Sequence, residues 1–384
     1  MAQAGDSRVR DAHAKPIKDV ADMLQIGNLR RSASEWVGPC PRPGCGGRDR
    51  FSLSTRKNLF NCRICGAKGD QIALVQHVLG LDFLAALDWL CGPRPELTPE
   101  QRAERERTEA QNAARRAAEA EKYRRRAIAR AREIWQQGVA AEDTPVRHYL
   151  DRRGITRTLL PRLPVCLRFH PALPYMVERG PRDYAELHRG PAMLAAVQGP
   201  DGKFIGVHRT WIDLSQPKGK LVIAHPDTGE VLPSKKMEGT KKGGAIRLKP
   251  GARIPALVMA EGIETTFSAM VSGAMPDAAF WAGVDLGNMA GARMLGRGQK
   301  YAGIPDLTDA EAFVPPDWVR DLVFIQDGDS EPRLTRAKLL AGLRRAKATR
   351  PGLRARIVPV PEGMDLNDVL LRGVPKDFEE RGME

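Results

Sequence analysis

Four cysteines, Cys40, Cys45, Cys62 and Cys65, fall within 26 residues of this 384-residue chain, while Cys91 and Cys166 stand apart. They are spaced as Cys-x4-Cys, a sixteen-residue interval, then Cys-x2-Cys. Gly or Pro flanks each pair, in CPRPGCGG and CRICGAKG, and such residues permit turns whose backbone N–H groups point at thiolates. Four thiolates suit one tetrahedral Zn²⁺, and a site with every position filled is structural, with no seat for a reactive water. The first twenty residues hold no apolar core, so no secretory signal is expected and metal binding is favoured over disulfides. A cytoplasmic location is expected on the same ground.

A second set of chemistry-bearing residues is acidic. Glu261 follows the apolar run ALVMA, and Asp327 and Asp329 follow DLVFIQ in the turn Asp-Gly-Asp. A third run, RIVPV, precedes Asp365 and Asp368. Carboxylates brought together cannot all stay ionised without a cation, and hard oxygen ligands suit Mg²⁺ or Mn²⁺. Such ions orient a hydroxyl nucleophile and neutralise a polyphosphate, which is chemistry of positioning and charge rather than of a covalent nucleophile.

The elements that must position these groups are legible in outline. Strands are expected over 256–260, 322–326 and 356–360, with a helix over 332–346, which is the strand–turn–helix alternation of a parallel sheet. Sites in such sheets lie beyond the carboxyl ends of the strands, so Glu261, Asp327 and Asp329 can converge. Phe51, Leu53 and Phe60, between the cysteine pairs, suit a small sheet behind the thiolates. Residues 101–135 read as one helix in which eleven Lys and Arg oppose six Glu. Asp201-Gly202 marks a hairpin turn before a strand over 203–211 that carries His208, for which no catalytic role is expected.

Net charge is +14, which favours polyanionic partners, and Arg48, Arg50, Arg56, Lys57, Arg63 and Lys68 surround the cysteine cluster. No apolar run approaches the length of a membrane span. The expected fold class is multidomain, α+β and α/β. Residues 1–30 form a flexible arm and 31–95 a zinc ribbon, 96–140 are a basic helical linker, and 141–250 make a mixed α/β lobe. Residues 251–375 hold a Rossmann-like parallel sheet.

The run from Cys40 to Leu90, with CRICGAKGD leading into an apolar helix, resembles the N-terminal zinc-binding domain of DnaG-type bacterial and phage primases. That family usually has Cys-x2-His where this chain has Cys-x4-Cys, so Cys45 stands in the histidine's place. Glu261-Gly262 and Asp327-Gly328-Asp329 resemble the acidic motifs of a Toprim domain, and Asp365-Leu366-Asn367-Asp368 resembles the late Asp-Pro-Asp motif of primases. The family's second acid, four positions after the first, is Thr265 here. Residues 141–250 resemble the basic primase polymerase lobe.

The resemblance implies a DNA primase, a nucleotidyltransferase making short RNA primers on single-stranded DNA from NTPs. It implies one structural Zn²⁺, with Mg²⁺ or Mn²⁺ held by Glu261, Asp327, Asp329, Asp365 and Asp368. Glu261, Asp327 and Asp329 would be catalytic. Arg209, Lys235, Lys236, Lys241 and Lys242 would contact template or nucleotide phosphates. No GxxxxGK[ST] segment occurs, so a replicative helicase would be a separate partner. A Toprim nuclease and a non-catalytic single-stranded-DNA-binding replication protein are the alternatives. The variant motifs lean toward a phage, plasmid or other mobile-element origin.

Overall fold

The computed structural model describes residues 6–32, 35–93, 98–180, 183–251, 254–296, 298–329 and 331–372. The chain divides into two compact units, Met1–Asn112 and Ala113–Glu384.

The N-terminal unit opens with helices α1 (Ser7–Ala14) and α2 (Ile17–Met23). Five strands follow: β1 (Arg30–Ser32), β2 (Glu35–Cys40), β3 (Gly46–Ser54), β4 (Leu59–Cys62) and β5 (Lys68–Gly69). They pair in sequence order as an antiparallel sheet. Helices α3 (Gln71–Leu79) and α4 (Phe83–Cys91) complete the unit. Asp70 and Asp82 cap them by accepting from the N–H groups of Ala73 and Ala85.

The expected flexible arm over 1–30 is corrected over residues 6–30; residues 1–5 lie outside the described residues. Ile17, Val20 and Ala21 on one face of α2 are fully buried, in one core with Phe51, Leu53, Leu74 and Leu87. Arg8 ties α1 down through Asp6, Asp88 and the carbonyl of Gly92. Asn58 accepts from the Ile17 N–H at 2.7 Å, satisfying one open donor at the start of α2.

Helix α5 (Pro99–Gln137) carries the chain from the first unit into the second. It is exposed until its last turns, where Ala131 is buried and Ile134 and Trp135 pack against the following sheet. That sheet is antiparallel in the order β12-β9-β8-β7-β6. Its strands are β6 (Val139–Ala140), β7 (Leu167–Gly180), β8 (Asp183–Gln198), β9 (Phe204–Trp211) and β12 (Lys235–Gly239), with helix α6 (Pro145–Arg152) after β6. A small hairpin, β10 (Ile223–Ala224) and β11 (Val231–Leu232), precedes β12.

The last sheet has the order β13-β15-β14-β16-β17. Strands β14 (Ala256–Ala260), β15 (Ala278–Ala282), β16 (Asp321–Gln326) and β17 (Arg354–Pro359) are mutually parallel. Strand β13 (Ile246–Lys249) adds an antiparallel edge by pairing Ile246 with Ala282. The expected boundary at 250/251 therefore shifts: residues 246–249 belong to this sheet. Helix α7 (Ile263–Val271) follows β14, α8 (Leu286–Ala290) follows β15, α9 (Pro332–Thr349) follows β16 and α10 (Leu366–Arg372) follows β17.

The strands are apolar on both faces because both faces are covered. Leu257 and Met259 of β14 share a core with Met289, Leu339 and Leu343 from α8 and α9. Their neighbours Val258 and Ala260 point the other way, into a core with Ala269 of α7. Full burial of side chains of this size contributes about 1.5–3 kcal/mol each. Among the described residues, no single helix is long and apolar enough to cross a membrane.

Candidate functional site

Two clusters carry chemistry, one in each unit. In the first, β2 ends at Cys40, Cys45 lies in the β2–β3 turn, β4 ends at Cys62 and Cys65 lies in the next turn. Gly66, at φ +72°, closes that turn by donating to the Cys62 carbonyl at 3.1 Å. The sulfur–sulfur separations are 3.7 Å for Cys45–Cys62 and 4.0 Å for Cys40–Cys65. A tetrahedron with zinc–sulfur bonds of about 2.3 Å has sulfurs about 3.8 Å apart, which these two separations match. All four ligand atoms lie within 4.8 Å of one another, the one such group found among the described residues. Burial pushes the Cys40 thiol up to about 12. Burial acts on Cys62 in the same sense, but backbone N–H groups of Cys65 and Ile64 outweigh it and bring that thiol down to about 6.

In the second cluster, Glu261, Asp327 and the loop bearing Asp365 follow the carboxyl ends of adjacent parallel strands. Pairing of Met259 with Phe324, and of Gln326 with Pro359, brings those ends to one level. Gly328 makes the last step possible. A Cβ there would stand 2.1 Å from the Pro361 carbonyl oxygen, and the Gly328 N–H donates to Met364 while its carbonyl accepts from Gly363. The Asp327-Gly328-Asp329 turn is thereby seated on the loop that leads to Asp365.

Burial pushes the Asp327 carboxyl up to about 7, with repulsion from Asp365, Asp329 and Glu261 adding to it. Burial also raises Glu261, reinforced by Asp285 and Asp329 and opposed by Lys235 and Lys338. Thr265 donates its hydroxyl to Asp327 Oδ2 at 3.3 Å. Asp327 Oδ1 is buried with no hydrogen-bond partner among the described residues. A buried, unpartnered carboxylate oxygen among mutually repelling acids is the donor set a hard divalent cation takes. Asp368 serves differently: its backbone N–H donates to Asp365 Oδ1 at 2.7 Å and its own carboxylate accepts from the Asp365 N–H at 3.3 Å. This reciprocal pair caps α10 and takes up the Asp368 carboxylate.

The five expected phosphate contacts are all engaged inside the protein. Arg209 donates to the Met237 carbonyl at 3.1 Å and lies over the Trp211 ring. Lys236 lies 3.8 Å from the Tyr175 ring centroid. Lys241 pairs with Asp285 and Lys242 with Glu311, beside an open cleft of about 360 Å³. The Lys242–Glu311 pair is solvent-exposed and the Lys241–Asp285 pair half-buried; exposed pairs contribute about 0–1 kcal/mol, so a phosphate can displace Glu311 from Lys242.

Lys235 belongs to a buried network that sequence reasoning missed. Glu264 accepts from Lys235 at 3.3 Å, from Lys220 at 3.0 Å and from the Tyr149 hydroxyl. Burial alone would raise the Glu264 carboxyl, but Lys220, Lys235 and Tyr149 hold it well below the usual carboxylate range. Burial draws Lys220 down to about 8 against the pull of Glu264. His208 in β9 is brought down to about 3 by burial first and by Lys235, so it stays neutral. Arg153 and Asn367 exchange hydrogen bonds at 2.9 and 2.6 Å, fastening α10. The sequence signals were Glu264 within Glu-Gly-Ile-Glu and Asp285 three residues beyond β15.

Residues 11–105 match the family model of the CHC2 zinc finger. This zinc finger thus accounts for the cysteine cluster, and the chain's set of four thiols is a variant of it. Residues 125–248 match a domain of unknown function, DUF7146. No curated protein matches the chain. Among solved structures, the zinc-binding and RNA polymerase domains of the Aquifex aeolicus primase are 16% identical. That match covers 98% of this chain and 84% of that one, with a TM-score of 0.36. The primase fragment of the bacteriophage T7 primase-helicase is 12% identical over 90% of this chain and 98% of its own, with a TM-score of 0.32. A DnaG primase catalytic domain bound to single-stranded DNA is 15% identical over 67% and 81%, with a TM-score of 0.38.

Proposed function

We propose that this chain is a DNA primase, a nucleotidyltransferase that makes short RNA primers on single-stranded DNA. The observation that carries the reading is the joint presence of a CHC2-type zinc finger and of acids beyond the ends of adjacent parallel strands. Residues 251–375 are read as a Toprim domain, with its sheet beginning at β13, and 141–250 as the polymerase lobe.

Glu261, Asp327 and Asp329, joined by Asp365, hold Mg²⁺ or Mn²⁺. A bound divalent ion would neutralise the triphosphate and favour attack by a 3′-hydroxyl, which loses its proton, on the α-phosphorus, breaking the α–β phosphoanhydride bond and releasing pyrophosphate. Thr265 orients Asp327 through its hydroxyl instead of supplying a further carboxylate. Lys241 and Lys242 exchange Asp285 and Glu311 for nucleotide or template phosphates. Lys235 holds Glu264 and lends positive charge beside Glu261. Cytoplasmic replication of phage, plasmid or other mobile-element DNA, with a separate helicase, is the proposed setting.

Incubation with single-stranded DNA, labelled NTPs and Mg²⁺ or Mn²⁺ tests this. Short RNA products that disappear in Glu261→Gln and Asp327→Asn support it. Template degradation without synthesis points to a Toprim nuclease, and DNA binding with neither activity to a non-catalytic replication protein.

A further inference from the structure

The zinc site has a neighbour outside its four ligands. His77, on α3, places Nε2 3.4 Å from Cys40 Sγ and 4.0 Å from Cys65 Sγ. Its ring is held in place: it stacks on Phe60 with centroids 5.6 Å apart and planes at 21°. Phe60 and Cys62 alternate along β4 on its buried face, so the strand that delivers a ligand also delivers the ring that fixes His77. Phe60 is itself braced by Phe51 at 5.7 Å.

We propose that His77 is an outer-shell residue of the zinc site, donating its Nε2–H to the Cys40 thiolate. Four thiolates on one Zn²⁺ leave a net charge of −2, which N–H donors to sulfur must offset. The Cys62 sulfur has the backbone N–H groups of Ile64 and Cys65. The Cys40 sulfur has the backbone N–H of Arg42, and His77 supplies a further donor. The imidazole thus balances the two ligand pairs and slows metal loss. Outer-shell partners of this kind alter metal affinity about 10–100-fold when removed. The role concerns metal retention and does not rest on priming activity.

The test uses the zinc-loaded full chain without DNA or nucleotide. His77→Phe keeps the stack on Phe60 and removes the donor, whereas His77→Gln keeps an N–H donor. Zinc transfer to a chromophoric chelator is expected to be about 10-fold faster in His77→Phe and close to wild type in His77→Gln. With Co²⁺ in place of zinc, the thiolate-to-metal charge-transfer band should move to lower energy in His77→Phe, because an unbonded thiolate gives up charge more readily. That band is read only from folded, metal-bound protein, so a folding defect cannot imitate it. Equal release rates and equal band energies in wild type and His77→Phe would overturn the proposal. So would a wild-type Co²⁺ spectrum of three sulfurs and one nitrogen, which would make His77 a ligand itself.

Discussion

The thiol cluster and the acidic cluster solve the same electrostatic problem in opposite ways. Both gather groups whose charged forms repel one another unless a cation or protons neutralise them. The thiols lie within 26 residues on one small sheet, and Cys40 stays protonated until metal arrives because burial lifts it to about 12. The acids span 105 residues from Glu261 to Asp365, and burial with repulsion from its neighbours pushes Asp327 up to about 7. The thiol site is part of what folds its unit, since β2, β4 and the turns after them meet at the sulfurs. The acidic site is a burden on a sheet already held by apolar burial on both faces. On the proposed reading, metal is a structural necessity in one unit and a functional addition in the other.

The largest expected effect breaks the first half of that comparison. Chelation of zinc, or Cys62→Ser with Cys65→Ser, should unfold the N-terminal unit, since structural zinc supplies about 10–16 kcal/mol to small domains. In calorimetry the transition of the C-terminal unit should persist at its original temperature. A shared loss of both transitions would show that the second unit depends on the first.

Next is Glu264→Gln, which leaves the half-buried Lys220 and Lys235 against a neutral amide at a buried position. Breaking a buried pair from one side costs about 3–5 kcal/mol, read as a lower urea midpoint for the C-terminal unit. A change under about 0.5 kcal/mol would mean that these lysines reach solvent and are not held by Glu264.

A smaller effect of opposite sign is expected at Asp327. Its folded pKa lies above the unfolded value of 3.8, so the fold favours the protonated acid. Stability from this group is complete below about 3.8 and is lost as pH rises through about 7. In metal-free buffer at pH 8, Asp327→Asn should therefore stabilise the C-terminal unit by about 1–3 kcal/mol. Mg²⁺ or Mn²⁺ should recover stability in the wild type and not in the variant. Thermal melts at pH 5 and pH 8, with and without metal, check both statements.

The smallest stability change belongs to Lys241→Ala with Lys242→Ala, whose ion pairs at the protein surface contribute about 0–1 kcal/mol. Binding of single-stranded DNA or NTP should nevertheless weaken and lose part of its salt dependence. Unchanged affinity and salt slope would remove this loop from the phosphate path.

What could be read from the sequence was what depends on local spacing. The cysteine pairs, the strands β14, β16 and β17 and the acids after them follow from runs of a few residues. The helices α1 and α2 were missed because their apolar stripe is three residues long and is buried by partners dozens of residues away. Strand β13 was assigned to the lobe because its pairing with β15 spans more than thirty residues and leaves no local period. Glu264 and Lys220 look like surface charges in a sequence, and only the folded chain pairs them. Asp368 has the spacing of a metal ligand, and the same three-residue offset from Asp365 serves equally well to cap a helix. Arg209 and Lys235 resemble phosphate contacts by type, whereas packing turns Arg209 inward and Glu264 holds Lys235.

The most direct test of the central claim is primer synthesis on single-stranded DNA by wild type, Asp327→Asn and Cys62→Ser/Cys65→Ser, with Mn²⁺ and labelled NTPs. The account predicts short RNA from the wild type, a loss of at least about 100-fold in Asp327→Asn with its zinc content intact, and loss in the cysteine variant together with its zinc. RNA synthesis by Asp327→Asn at the wild-type rate would contradict it.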